Sequence, residues 1–186
     1  MGNQAPARAA ILLADGFEEI EAATPADVLR RAGVETVLVG VSGLRAKGSR
    51  GVVYAADAEL AELRGDFSLA VIPGGMPGAR NIADSAAARA LVEKIQGRGG
   101  IVAAICAAPA VALAAWGLLS GKKATCYPGM EGMFPPDAEF SPERVVVDGK
   151  LVTSRGPGTA LEFSLRLAGL MAGDGIAARL AGEMLA

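Results

Sequence analysis

Short apolar segments that alternate with amphipathic ones constrain the fold of this chain more than any other feature. Residues 7–15, ARAAILLAD, form a short apolar run that is typical of a buried strand. Residues 17–33 carry apolar side chains at helical spacing, and residues 34–41, VETVLVGV, are apolar again. The chain therefore opens with a strand, a helix and a strand, an order that favours a right-handed parallel crossover.

The same alternation continues along the rest of the sequence. Strands are predicted over residues 67–75, 99–105 and 122–127, and a hairpin over residues 144–154 with its turn at Asp148 and Gly149. Helices are predicted over residues 85–100, 108–121, 158–173 and 175–186. Buried strands between helices predict an α/β sandwich with a mostly parallel sheet. No repeat or linker divides the sequence, so we expect one domain over residues 1–186.

The composition argues against several classes of partner. The 52% hydrophobic and 20% charged content predicts a compact chain rather than a disordered one. Eighteen basic residues balance 20 acidic ones without a basic run, so we expect no nucleic-acid partner. Residues 101–119 contain no charge, but they are rich in alanine and interrupted by Pro109, so we expect no membrane span.

The few cysteines bear on compartment and on metal binding. Two cysteines and an N-terminal stretch without a long apolar segment predict a cytoplasmic protein without a secretory signal. A form that enters an organelle and loses a transit peptide remains the alternative. Because the chain has no histidine, only cysteines and scattered carboxylates could bind a metal, and we expect neither a metal nor another cofactor.

The first cysteine lies where a predicted strand gives way to a helix, in the stretch IVAAICAAP. Small residues around Cys106 are typical of a nucleophile elbow, although Ala104 and Ala108 replace the usual glycines. This segment alone is equally compatible with a buried structural cysteine. A helix that starts at Cys106 would lower the pKa of the thiol and stabilise a thiolate. We take Cys126 as a core residue at a strand end.

Two other strand ends supply groups that could assist such a nucleophile. The PGG turn offers the N–H groups of Gly74 and Gly75, which could stabilise an oxyanion together with the N–H of Ala107. An ordinary turn is the alternative interpretation. Because ligands of parallel sheets bind beyond the carboxyl ends of the strands, these groups are expected to meet Cys106 in one crevice.

The stretch DGFEEIEA, which follows the first strand, provides four acids. Glu18 and Glu19 are interpreted as charges that complement the N-terminus of the following helix, and Asp15 is a further candidate. Glu21 lies among apolar neighbours. A carboxyl held beside a thiol in an apolar crevice would stay protonated and could donate a proton.

Taken in order, four stretches resemble the ThiJ/PfpI superfamily and, within it, the DJ-one branch of protein deglycases. They are LADGFEEIEAATPADVLRRAG, VIPGGMPGARNIADS, IVAAICAAPAVAL and LVTSRGPGTALEFSL. The resemblance covers nearly the whole chain. It implies a flavodoxin-like three-layer sandwich, like that of class I glutamine amidotransferases, and a homodimer.

The resemblance also implies roles for individual residues. The reactive cysteine of the family falls on Cys106, and its protonated glutamate falls on Glu21. The backbone donors of the family match Gly75 and Ala107. No cofactor is implied.

Further residues are matched less directly. The anion-facing arginines of the family correspond to Arg50 and, from the partner subunit, Arg31, whereas Arg155 is expected to support its loop. Tyr127 stands where many relatives have a histidine. A phenol is a poor base near neutral pH, so this departure puts strong glyoxalase activity in doubt.

The resemblance implies a cofactor-independent glyoxalase or deglycase that acts on methylglyoxal, glyoxal or their adducts and protects against carbonyl and oxidative stress. A different function is a redox-sensing protein or chaperone whose reactive cysteine is oxidised to a sulfinate. A cysteine peptidase is a third alternative. It is disfavoured because peptidases of the superfamily have a histidine where this chain has Ala107.

Overall fold

The computed structural model describes residues 7–186. Eleven strands lie in this part of the chain: β1 Arg8–Leu13, β2 Glu35–Gly40, β3 Arg45–Lys47, β4 Val53–Ala55, β5 Ala58–Glu59, β6 Leu69–Ile72, β7 Ile101–Ile105, β8 Lys123–Ala124, β9 Glu139–Phe140, β10 Val145–Asp148 and β11 Leu151–Ser154. Five α-helices accompany them: α1 Glu19–Arg31, α2 Gly78–Ala83, α3 Ala86–Gly97, α4 Ala160–Ala172 and α5 Asp174–Glu183. A π-helix at Pro109–Leu113 follows β7.

Seven strands form the central sheet in the order β10-β11-β7-β6-β1-β2-β5. All neighbours are parallel except β10 and β11, which form the predicted hairpin. From β1 the chain passes to β2 on one side and later to β6 on the other, so a topological switch lies at β1. The carboxyl ends of β1, β6 and β7 therefore open into one crevice.

Helices cover both faces of this sheet. On one face α1 packs on α4 and α4 packs on α5, while on the other α2 packs on α3 and on the π-helix. The inner strands are buried throughout, from Ile11 in β1 to Ile105 in β7. Strands that are apolar on both faces need this double cover, which explains their unbroken hydrophobic runs. The predicted α/β architecture is confirmed.

Local structure differs from the prediction in four places. The segment predicted as a helix over residues 108–121 contains only one π-helical turn followed by further turns, because the carbonyl of Pro109 accepts from the N–H of Ala114. The predicted strand over residues 122–127 is reduced to β8, which pairs with β9 outside the central sheet. The antiparallel β3–β4 hairpin and helix α2 were not predicted.

No helix of residues 7–186 is long and apolar enough to cross a membrane. Most of the N-terminal stretch on which the signal-peptide prediction depends lies in residues 1–6, outside the described part of the chain.

Candidate active site

Cys106 stands at the sharp turn that follows β7. Its backbone is left-handed, with φ of +65°, a conformation that costs roughly 1–3 kcal/mol for a residue with a side chain. The N–H of Cys106 donates to the carbonyl of Ser154 at 2.9 Å, and its own carbonyl accepts from the N–H of Tyr127 at 2.8 Å. These bonds to two neighbouring segments hold the strained turn. A strained residue between a strand and a helix is the geometry of a nucleophile elbow.

The backbone of the PGG turn after β6 packs directly against Cys106. A Cβ added to Gly74 would lie 2.6 Å from Cβ of Cys106 and 2.8 Å from Oε2 of Glu21. Gly75 has φ of +81°, and a Cβ there would lie 2.4 Å from the backbone nitrogen of Glu18. Only glycine fits at these two positions without moving the groups around the thiol.

Glu21 lies in the first turns of α1 and is fully buried behind Cys106. Its Oε2 accepts from the N–H of Gly74 at 2.8 Å. Its Oε1 is buried and finds no hydrogen-bond partner within residues 7–186. Burial raises the pKa of this carboxyl to about 7, against the opposing effect of the Gly74 N–H. The group therefore holds its proton far more readily than an exposed glutamate does.

The thiol of Cys106 is coupled to this carboxyl. Burial, reinforced by the Glu21 carboxylate, raises the pKa of the thiol to about 12, while the N–H groups of Gly75 and Ala107 lower it. A helix N-terminus was expected to lower the pKa of this thiol. That effect is outweighed, because the site is buried and only a short π-helix follows. A proton on Glu21 removes the repulsion and turns the carboxyl into a donor to the thiolate. The pair can therefore share one proton.

Above Cys106 lies an open cleft of about 590 Å³. The thiol reaches it with only 8% of the residue exposed. The cleft is lined by charged, polar and apolar residues from six segments: Glu18, Ser49, Arg50, Gly75, Met76, Cys106, Ala107, Tyr127, Pro128, Met130 and Pro157. Glu21 and Gly74 stay beneath this surface, behind the thiol. A small carbonyl compound in the cleft would meet the sulfur first.

The interpretation of Glu18 and Glu19 as helix-end charges is incomplete, because both are buried. Oε1 of Glu19 accepts from the N–H of Arg50 at 2.8 Å and of Val52 at 3.3 Å, while Glu18 accepts from Ser49 Oγ at 3.2 Å. Burial would raise the pKa of Glu19, but the N–H donors outweigh it and lower the pKa. These carboxylates hold the β3–β4 connection against the cleft. Sequence reasoning missed this because the hairpin was not predicted.

The structure brings some of the predicted contact residues to the cleft and leaves others outside. Arg50 and Tyr127 line it, and the Arg50 guanidinium lies 3.9 Å from the Glu18 carboxylate. Arg31 lies on the exposed side of α1, where it pairs with Asp27 at 2.8 Å. Its reach into a site of a second subunit stays a prediction.

Three other residues named by the sequence lie around the site without entering it. Asp15 accepts from the N–H of Lys47 at 2.8 Å. Arg155 donates to the carbonyl of Pro142 at 2.9 Å, in line with support of its loop. Cys126 is fully buried, and burial raises the pKa of its thiol to about 11. Within residues 7–186 no cluster of three or more cysteine and carboxylate side chains could hold a metal ion.

A doubly covered parallel sheet with a strained cysteine at a strand end, glycine amides and a buried acid defines a class of α/β proteins with a nucleophile elbow. Within that class, residues 7–169 match the DJ-1/PfpI family, and the chain belongs to it.

Curated relatives match most of the chain. It is 44% identical over 168 residues to Protein dj-1beta of Drosophila melanogaster, covering 89% of each chain. It is 37% identical over 183 residues to the Parkinson disease protein 7 homolog of Danio rerio, covering 96% of each. It is also 32% identical over 158 residues to the glutathione-independent glyoxalase DJR-1.2 of Caenorhabditis elegans, covering 84% of each.

Solved structures agree with these matches. Drosophila melanogaster DJ-1beta superposes with a TM-score of 0.93 at 40% identity, covering 97% of this chain and 98% of that one. Oxidized Toxoplasma gondii DJ-1 superposes with a TM-score of 0.92 at 40% identity, covering 96% of this chain and 98% of that one. The recognised family and the fold are therefore confirmed together.

Proposed function

We propose that this protein is a cofactor-independent enzyme that converts methylglyoxal, glyoxal or their adducts with thiols and amines into hydroxy acids. The observation that carries the proposal is the buried Glu21 carboxyl, with a pKa of about 7, coupled to Cys106 at the floor of an open cleft. A relative of the same family is named a glutathione-independent glyoxalase, which supports this class of reaction.

The first steps follow from the pair of titratable groups. The Cys106 thiol gives its proton to the Glu21 carboxylate, and the resulting thiolate attacks the aldehyde carbon of methylglyoxal and forms a carbon–sulfur bond. The N–H groups of Gly75 and Ala107, which already point at the sulfur, stabilise the oxyanion. Glu21 gives its proton to that oxygen, and the product of this step is a neutral hemithioacetal.

The remaining steps move protons and add water. The Glu21 carboxylate removes the proton from the former aldehyde carbon and returns it to the neighbouring carbon. The hydroxyl proton passes at the same time from the first oxygen to the former ketone oxygen, and the hemithioacetal becomes a thioester of lactate. Water then hydrolyses the thioester, releasing lactate and the thiol of Cys106. The sum is methylglyoxal and water to lactate, with no external oxidant or reductant.

The test is the steady-state consumption of methylglyoxal by purified wild type and three variants, free of other glyoxalases. Cys106→Ser is expected to abolish turnover, and Glu21→Gln to lower kcat at least about a hundredfold, the scale of general acid–base catalysis. Cys126→Ser is the matched control, because that thiol is fully buried outside the cleft, and it should retain activity. Equal consumption of methylglyoxal by wild type and Cys106→Ser would refute the proposed enzymatic activity.

A second candidate function is redox sensing, which the same pair also supports. A thiolate at a cleft floor can be oxidised by two equivalents of peroxide to a sulfinate, and the Glu21 carboxyl beside it could donate to a sulfinate oxygen. Intact mass after mild peroxide treatment tests this: two added oxygens on Cys106 are expected, and none in Cys106→Ser. Oxidation spread over the methionines instead would contradict it.

The homodimer and the cytoplasmic location implied earlier remain part of this proposal. In a homodimer, Arg31 of the second subunit would approach the cleft. Sedimentation equilibrium of wild type tests the dimer, and a monomer at micromolar concentration would contradict it.

A further inference from the structure

A second cavity, of about 260 Å³, adjoins the active-site cleft. The two cavities share Tyr127, Pro128 and Pro157 as lining residues. The second cavity then continues past Gly156 to two arginines, Arg144 and Arg155. The cleft and the cavity therefore lie side by side along these three residues, with the Cys106 thiol at one end, and we call the two together the extended groove.

The walls of the extended groove are attached directly to the nucleophile. The N–H of Cys106 donates to the carbonyl of Ser154, the residue before Arg155, and the carbonyl of Cys106 accepts from the N–H of Tyr127. The Tyr127 ring in turn lies against Gly156, since a Cβ there would be 3.4 Å from the ring. The backbone of Arg155 is therefore held in a fixed position one residue from a hydrogen-bond partner of Cys106.

The two arginines of this groove differ in charge compensation. Arg144 pairs with the Glu162 carboxylate at 2.7 Å and also donates to the carbonyl of Gly158. Arg155 makes one hydrogen bond, to the carbonyl of Pro142, and within residues 7–186 no carboxylate lies within 4.0 Å of it. A guanidinium has five N–H donors, so most of those on Arg155 are free for a ligand.

The size of the groove points to a ligand larger than methylglyoxal. The cleft alone measures about 590 Å³, which is already in the range of sites for drug-sized molecules, whereas methylglyoxal has only three carbons. A free dicarbonyl would leave the extended groove and Arg155 unused. An adduct of the dicarbonyl with a larger molecule would place its remaining part along Tyr127.

On the basis of the proposed function, we infer that Arg155 binds the carboxylate of dicarbonyl adducts formed with amino-acid or peptide thiols. Such an adduct is a hemithioacetal. The bond between its former aldehyde carbon and its sulfur breaks, a bond from that carbon to the Cys106 sulfur forms, and the proton of the Cys106 thiol passes to the released thiol. One thiol is lost and one is added, so the exchange is neutral in protons and electrons. Planar guanidinium and carboxylate groups form paired charge-assisted hydrogen bonds, which would favour acidic adducts over neutral ones.

The experiment measures binding without turnover. The probe is N-acetyl-S-(2-oxopropyl)cysteine, a stable thioether analogue of the adduct, and its carboxamide is the neutral comparison. Both are titrated calorimetrically into full-length Cys106→Ser protein. We expect the carboxylate to bind about tenfold more tightly than the amide, the scale of one charge-assisted pair.

Two added variants assign the effect. Arg155→Gln should make the two probes equal while leaving the affinity for the amide unchanged, whereas Arg144→Gln, the matched control, should keep the difference. Equal binding of both probes to the parent protein would overturn the inference. So would a preference for the carboxylate that survives Arg155→Gln or disappears in Arg144→Gln. Since no turnover is measured, these outcomes are distinct from a failure of the proposed reaction.

Discussion

The pH dependence of stability gives a direct measure of the Glu21 environment. Burial raises the pKa of this carboxyl from 4.5 to about 7 in the folded chain. A group whose pKa is higher in the folded state stabilises that state below its unfolded pKa and loses the effect as pH rises through its folded pKa. Glu21 should therefore make the protein less stable as the pH rises from about 4.5 to above 7.

The magnitude follows from the two pKa values. One pKa unit corresponds to about 1.36 kcal/mol, and integration between about pH 5 and about pH 8 gives a loss of roughly 2.5 kcal/mol in the free energy of unfolding. Gln at this position is neutral at both pH values, so Glu21→Gln should remove this loss. The other titrating groups are the same in both proteins and cancel in the comparison.

The assay is urea unfolding at the two pH values and one protein concentration. Both proteins carry Cys106→Ser, so that the coupled thiol does not titrate. The protein that keeps Glu21 should lose about 2.5 kcal/mol more between the two pH values than the one with Glu21→Gln. Parallel losses in the two proteins would show that the folded carboxyl titrates like an exposed one, and the argument for a buried proton carrier would fail.

Three further predictions concern single positions. Gly74→Ala should lower kcat at least about tenfold, because its Cβ would lie 2.6 Å from that of Cys106, whereas Gly97→Ala, with no atom within 4 Å of the added carbon, should not. Tyr127→His should raise kcat about tenfold and add an inflection near pH 6.5 to its pH profile, because imidazole can act as a base there; an unchanged profile would argue against a base at this position. Glu19→Gln should lower the free energy of unfolding in urea by about 2 kcal/mol, through weaker bonds to the N–H groups that its carboxylate holds, and a change as small as that of a surface pair would contradict this.

The order of the main elements could be predicted from sequence because each depends on local pattern. Strands such as β1 and β7 are buried on both faces, so they appear as continuous apolar runs, and α1 and α3 follow with helical spacing. Short elements were missed or misjudged. The β3–β4 hairpin has only three residues per strand, too few for a clear pattern. The π-helix differs from an α-helix only in which carbonyl accepts from each N–H, and composition does not determine this.

The candidate site was predictable in part for the same reason. Close backbone contacts require small residues around Cys106 and glycines in PGG, so these positions can be recognised in the sequence. Glu21 could be singled out by its apolar neighbours. The anchoring roles of Glu18 and Glu19 could not be, because their partners lie about 30 residues away on a hairpin that only the folded chain brings to them.

By itself, the sequence determined the α/β class, the strand ends that carry chemistry and the absence of an imidazole partner for Cys106, since these depend on residue types and short-range periodicity. The tertiary structure alone decided the electrostatics. Burial raises the pKa of both Cys106 and Glu21, so a thiolate depends on the shared proton and the backbone N–H groups rather than on a long helix. Among residues 7–186 it also left no carboxylate within 4.0 Å of Arg155, because desolvation and pairing depend on neighbours that are distant in sequence.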